Sequence, residues 1–210
     1  MKNAVRTLPA WGEAALILAV SALSAVASGQ TPPPAVSPAA SSSATSSSVA
    51  RPTQPPAPPE AASIDAIVQA LYAGVAHTPK DEPDWSRLRT IFAPGGRLIP
   101  PQRPGSELVF LSAEDFIERV SKGIATRRTA GTEKGFSERE IARKTDCYGN
   151  MCQLFSTYES RFTAADPKPF ARGINAIQVV KDGNRWWVVN VLWDQEAPDK
   201  PIPAAYLGGK

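Results

Sequence analysis

Six side chains in the second half of the chain have the types and spacing to line a polar pocket on a sheet: Ser156, Tyr158, Asn175, Trp186, Asn190 and Asp194. They fall in two segments that alternate as hairpins. One runs from Glu138 through a Gly149-Asn150 turn to Arg161, the other from Gly173 through Asp182-Gly183-Asn184 to Trp193. A turn at Asp182-Gly183, a favoured hairpin dipeptide, sets Asn175 opposite Asn190 and Val179 opposite Trp186. Asn175, Asn190 and Asp194 then share the face of Trp186 and Val188. A carboxylate enclosed by aromatic side chains is pushed toward its neutral form and can act as a general acid or base, with Tyr158 as a donor. The plainer reading has Asp194 at the solvated end of its strand and the two asparagines bonded to each other.

In the first hairpin the Gly149-Asn150 turn places Cys147 opposite Cys152 and Ile141 opposite Tyr158. One face then carries Ile141, Thr145, Leu154, Ser156, Tyr158 and Phe162, and the other carries Glu140, Lys144, Gln153, Thr157, Glu159 and Arg161. Facing cysteines in an antiparallel pair are close enough for a disulfide, and a structural bridge is expected. The pair lacks the Cys-x-x-Cys spacing of a redox site, and too few ligands accompany it for a metal. The single histidine, His77, is expected at the surface, finishing a helix. Tyr72 and Trp85 could look into a cavity, although packing alone explains their helical spacing. The sequence has no phosphate-cradling glycine loop, nucleophile elbow or His-Glu-x-x-His, and no cofactor is implied.

The elements that position these residues follow from periodicity. Ser63 caps a helix carrying Ile64, Ile67, Val68, Leu71 and Val75, and Asp84 caps a second with Trp85, Leu88, Ile91 and Phe92. Pro94-Gly95-Gly96 ends the second helix, and a strand begins at Arg97-Leu98-Ile99. A short strand over 108–111 precedes Ser112-Ala113-Glu114-Asp115, a capping box for a third helix with Phe116, Ile117, Val120 and Ile124 inward. Helices first and an antiparallel sheet afterwards describe an α+β domain. The final strand, Arg185 to Trp193, is apolar on both faces, so both are expected to be covered. A second copy of the chain is one cover for the outer face, and the C-terminal tail is the other.

The 210 residues divide into three parts. Lys2 and Arg6, an apolar run of about 14 residues and the small residues of Ala25 to Gly29 read as a secretory signal over 1–29, too short for a span of roughly 20. Glu13 beside the run leaves an uncleaved anchor as the alternative. Residues 30–60 are rich in Pro, Ala, Ser and Thr and read as a disordered linker. Residues 61–210 are the folded domain. The location implied is periplasmic or extracellular, with no membrane span after cleavage. The net charge of +3 is small and scattered, which argues against a nucleic-acid partner.

Taken together, Asp84-Trp85-Ser86-Arg87-Leu88-Arg89-Thr90-Ile91-Phe92, Arg97-Leu98-Ile99-Pro100, Phe136-Ser137-Glu138-Arg139-Glu140-Ile141, Phe155-Ser156-Thr157-Tyr158-Glu159-Ser160-Arg161, Asp182-Gly183-Asn184-Arg185-Trp186-Trp187 and Pro201-Ile202-Pro203-Ala204-Ala205-Tyr206-Leu207 resemble the nuclear transport factor 2-like superfamily. The likeness is greatest to its uncharacterised bacterial exported members. The resemblance implies a cone-shaped barrel in which a curved, mainly antiparallel sheet wraps about three N-terminal helices. Enzymatic relatives place an acidic base after the position of Leu98-Ile99, where this chain has Pro100-Pro101. Cyclase-like relatives often have His where this chain has Leu192. The function expected is therefore binding of a small apolar ligand or a partner, as a homodimer. The alternatives are a cofactor-free isomerase or dehydratase using Asp194, or a purely structural interaction module.

Overall fold

Residues 56–102 and 104–208 are described by a computed structural model. The signal segment and most of the Pro-rich linker lie outside these residues. A 3-10 turn, Pro59–Ala61, precedes the first helix and buries Ala61.

The three helices form where local signals place them. Helix α1 (Ile64–Val75) starts at Ser63, whose Oγ accepts from the Ala66 N–H at 3.0 Å, and it buries Ile67, Val68, Leu71 and Tyr72. Helix α2 (Trp85–Ile91) is capped by Asp84, which accepts from the Arg87 N–H at 3.1 Å, and it buries Leu88 and Ile91. Helix α3 (Ala113–Thr129) has a complete capping box. The Asp115 N–H donates to Ser112 Oγ, and the Ser112 N–H donates to Asp115, both at 3.1 Å. The Ser112 hydroxyl, which also donates to Asp115, and the Ser112 N–H together hold the Asp115 carboxyl below its ordinary value.

Five strands make one curved, unclosed sheet: β1 (Phe92–Ile99), β2 (Ser137–Tyr148), β3 (Met151–Arg161), β4 (Ala171–Asp182) and β5 (Arg185–Gln195), in the order β1-β5-β4-β3-β2. The last four pair antiparallel, whereas β1 runs parallel to β5, so the sheet is mixed. Two boundaries differ from the sequence reading. β1 begins at Phe92, and Pro94-Gly95-Gly96 becomes an irregularity inside it, with Gly95 at a φ of 83°. The expected strand over 108–111 reduces to a bridge in which Leu98 and Leu111 exchange two backbone hydrogen bonds, leaving Leu108 and Phe110 exposed.

The first hairpin turns at Gly149-Asn150 as expected, and Cys147 faces Cys152 and is bonded to it. The bridge closes a very short loop, so the chain-entropy contribution is about 2 kcal/mol. Urea unfolding with and without reductant should show a stability loss of that size; a larger loss would mean the bridge also holds native packing. The second hairpin turns at Gly183-Asn184 rather than Asp182-Gly183, because Asp182 pairs with Arg185. Only Gly183 has a positive φ there, 60°, which suits a turn with glycine at its first central position. Val179 therefore faces Val188, not Trp186.

Each hairpin also contains a bulge. Pairing slips at Ile141 in β2, so Tyr158 faces Glu140 instead of Ile141, and again at Val189 in β5. Every side chain beyond a bulge changes face. The inner face of the sheet packs Leu154, Ile177, Val179, Val188 and Val191 against the helices. On the outer face Tyr206 of the C-terminal segment covers β3, accepting from Thr157 Oγ1 through its carbonyl and lying 5.5 Å from the Phe155 ring. Val189 and Leu192 on β5 stay 39 % exposed, so the tail does not cover that strand.

Candidate functional site

The Ile141 bulge turns Glu138 and Glu140 inward, where they face Ser160 and Tyr158 across the β2–β3 ladder. They meet the phenol of Tyr72 from α1. Its position is set by the same helical repeat that buries Val68 and Leu71. Between α1 and β2 lies a cleft of about 280 Å³ with Val68, Ala73 and Ala76 on its apolar side and Tyr72, Glu138 and Glu140 on its polar side. Asp65, Gln69, Arg139 and Arg143 complete the lining.

A hydrogen-bond network underlies the cleft. Tyr72 Oη lies 2.7 Å from Ser156 Oγ, and Ser156 Oγ donates to Glu140 Oε2. Asn175 Nδ2 donates to Tyr72 Oη at 3.1 Å, and the Asn175 side chain also bonds Glu138. Ser160 Oγ donates to Glu138 Oε2 at 2.7 Å. At the rim Arg143 pairs with Asp65 and, through Nε at 3.2 Å, with Glu140. Burial pushes the Glu138 carboxyl up to about 7, against the lowering effect of the bonds from Ser160 and Asn175. Burial, reinforced by Glu138, raises the Tyr72 phenol well above its ordinary value, and burial raises Tyr158 likewise. The arrangement holds one carboxyl poised between its two protonation states near neutral pH, which suits either ligand hydrogen bonding or proton transfer.

Of the six side chains singled out in the sequence, Ser156, Tyr158 and Asn175 share the inner face, all buried. Ser156 and Asn175 join the network. Tyr158 packs beside it, its ring over Gly173 on the neighbouring strand. Trp186 packs at the edge of the core instead. The Val189 bulge sends Asn190 and Asp194 outward. Asn190 pairs with Gln178 and donates to its Oε1 at 3.4 Å, while Asn175 faces Trp193. Asp194 is exposed and paired with Lys200. His77 is not at the surface. Its Nε2 lies 3.3 Å from Glu133 Oε1, both side chains under 5 % exposed, and its backbone bridges to Phe136. Burial works against the Glu133 carboxylate, but the Gly135 N–H and Arg127 outweigh it and hold its pKa below the ordinary value.

Sequence reasoning missed Glu138 and Glu140. The alternation Glu138-Arg139-Glu140 reads as a solvated face, and only an extra residue in the ladder reverses it. The available signal was Ile141, an apolar side chain that ends up 38 % exposed when the acids turn in.

No protein-family model matches the chain, and no curated protein does. The solved structures that the chain resembles include three bacterial proteins. An NTF-2 like protein of unknown function from Silicibacter pomeroyi aligns over 63 % of this chain and 92 % of its own, at 16 % identity and a TM-score of 0.42. An uncharacterized protein with a cystatin-like fold from Caulobacter vibrioides aligns over 65 % and 89 %, at 14 % identity and a TM-score of 0.46. A putative ketosteroid isomerase from Shewanella frigidimarina aligns over 52 % and 80 %, at 13 % identity and a TM-score of 0.36.

Proposed function

We propose that this domain is an exported binding module whose α1–β2 cleft takes a small ligand, its apolar part against Val68, Ala73 and Ala76 and its polar atom on Glu138. The observation that carries the reading is a carboxyl with a pKa near 7 lining an open cleft beside an apolar helix face. A buried polar group kept at such a cost in desolvation is a common mark of a functional site. The cleft is small, so the ligand is of fragment size. Ser156 and Asn175 belong to the site as supports of its polar wall.

The test is a fragment screen read by backbone amide shifts around Val68, Tyr72 and Glu138. Ala73→Trp fills the cleft from a half-buried helix position. It should abolish those shifts, at least about a tenfold loss of affinity, with little effect on stability. Unchanged binding in Ala73→Trp would place the ligand elsewhere.

The same carboxyl supports a second reading, a cofactor-free isomerase or dehydratase in which Glu138 takes the acid–base role the sequence pointed to at Asp194. Turnover that collapses in Glu138→Gln while ligand retention persists would select it.

Two further parts of the reading concern setting. A disulfide suits an oxidising compartment, which supports export. Cell fractionation should find the mature chain outside the cytoplasm, starting close after Gly29. Homodimer formation through the outer face of β5 is supported by its uncovered Val189 and Leu192. Sedimentation should give a dimer that Leu192→Asp converts to a monomer; a monomeric parent protein would end that part.

A further inference from the structure

We infer that the hydrogen-bond chain behind the cleft runs in one direction and leaves Glu138, not Tyr72, as the group that donates to a ligand, whose matching atom is the acceptor oxygen of an amide or ester. The inference rests on the binding reading above for its ligand and on hydrogen counting for its direction.

Ser156 has a single hydroxyl hydrogen, and it goes to Glu140 Oε2. Glu140 also faces the Arg143 guanidinium, which can only donate, so this carboxylate is the accepting end of the chain. The short contact between Tyr72 Oη and Ser156 Oγ, 2.7 Å, must then be made with the hydrogen of Tyr72. On its other side Tyr72 Oη accepts from Asn175 Nδ2. The order is therefore Asn175 to Tyr72 to Ser156 to Glu140, each hydroxyl receiving from one neighbour and giving to the next. Tyr72 lines the cleft but has no hydrogen left for an occupant. An arrangement of this kind is self-reinforcing, because each donor polarises the next.

Glu138 stands outside that sequence. It accepts from Ser160 on Oε2 and from the Asn175 side chain, and it lines the cleft. When it carries a proton, that proton is the hydrogen on the wall formed by Tyr72, Glu138 and Glu140 that is not committed to the chain behind Tyr72. Protonation also balances the lining, since Asp65 and Glu140 then offset Arg139 and Arg143. A neutral acceptor oxygen suits such a wall. An ammonium group suits only the ionised form of Glu138.

The test has a ligand-free arm and a ligand arm. Without ligand, proton NMR should show a slowly exchanging Tyr72 hydroxyl hydrogen with a cross-peak to the Ser156 β-hydrogens. A Tyr72 hydrogen in fast exchange with water would overturn the direction of the chain. With ligand, N,N-dimethylacetamide, which can only accept, is compared with n-butylammonium, which can only donate. Because Glu138 titrates near 7, the amide probe should bind roughly thirty-fold more weakly at about pH 8.5 than at about pH 5.5. Glu138→Gln, whose amide keeps a donor at all pH, should remove that dependence. Amide binding insensitive to pH in the parent protein, or n-butylammonium favoured at the lower pH, would sink the assignment of the donor. If neither probe binds while other fragments do, the amide-or-ester class is wrong. If no fragment binds at all, the binding reading falls, and the direction of the chain still stands or falls on the Tyr72 hydrogen.

Discussion

Replacing Glu138 by Gln will make this domain more stable at about pH 8.5, not less, although the side chain sits in a hydrogen-bonded network. The sign follows from linkage. The Glu138 carboxyl is raised from 4.5 in a solvated chain to about 7 in the folded one. A group raised on folding contributes its full share of stability below the lower value and loses it as pH rises through the higher one. Between about pH 4.5 and pH 7 the folded state increasingly carries a proton that the unfolded state has released. Above that window the folded chain must hold a buried charge, at a cost of about 3 kcal/mol for a shift of this size. Gln has nearly the same shape and no charge, so it avoids that cost. Urea unfolding at about pH 5 and about pH 8.5 should show the parent protein weakening across the interval and the variant holding level. A parent protein as stable at the higher pH, or a Gln variant that weakens in parallel with it, would mean that Glu138 stays hydrated and ionised.

The second large effect lies two strands away, on β4, and is purely steric. Gly173 faces Tyr158 across the β3–β4 ladder. A Cβ there would sit 2.3 Å from the Asp194 carbonyl oxygen, 2.4 Å from Tyr158 Oη and 2.6 Å from its Cζ. Backbone on one side and a buried aromatic ring on the other leave neither neighbour able to yield cheaply. Gly173→Ala should cost about 3 kcal/mol or more. Because Tyr158 is the residue displaced, Gly173→Ala combined with Tyr158→Leu should recover part of the loss. Thermal unfolding of the single and double variants checks both statements, and a near-neutral Gly173→Ala would show that the ring is free to swing away.

Both predictions concern contacts that only pairing between distant segments creates, and this marks the limit of what could be read beforehand. The helix starts at Ser63, Asp84 and Ser112 were legible because a cap is a bond between residues three apart. The Cys147–Cys152 bridge was legible for the same reason, lying beside a two-residue turn. The second turn was misplaced by one residue, since Asp182-Gly183 and Gly183-Asn184 offer similar turn chemistry and the choice depends on how β4 and β5 pack.

The amino-acid order alone determined the α+β class, the three helices with their buried faces and the two long hairpins, because each arises from interactions within a few residues. Which acids face inward was decided only by tertiary structure. The ladder slips once at Ile141 and once at Val189, and each slip exchanges the faces of every residue beyond it. The first slip carries Glu138 and Glu140 into the cleft, and the second carries Asn190 and Asp194 out of it. The pKa of Glu138 belongs to the same category, for a carboxyl is raised by what surrounds it and not by its neighbours in the chain. A bulge adds one ordinary residue to a strand, and which side chains it sends to the other face is decided only when the strands are paired.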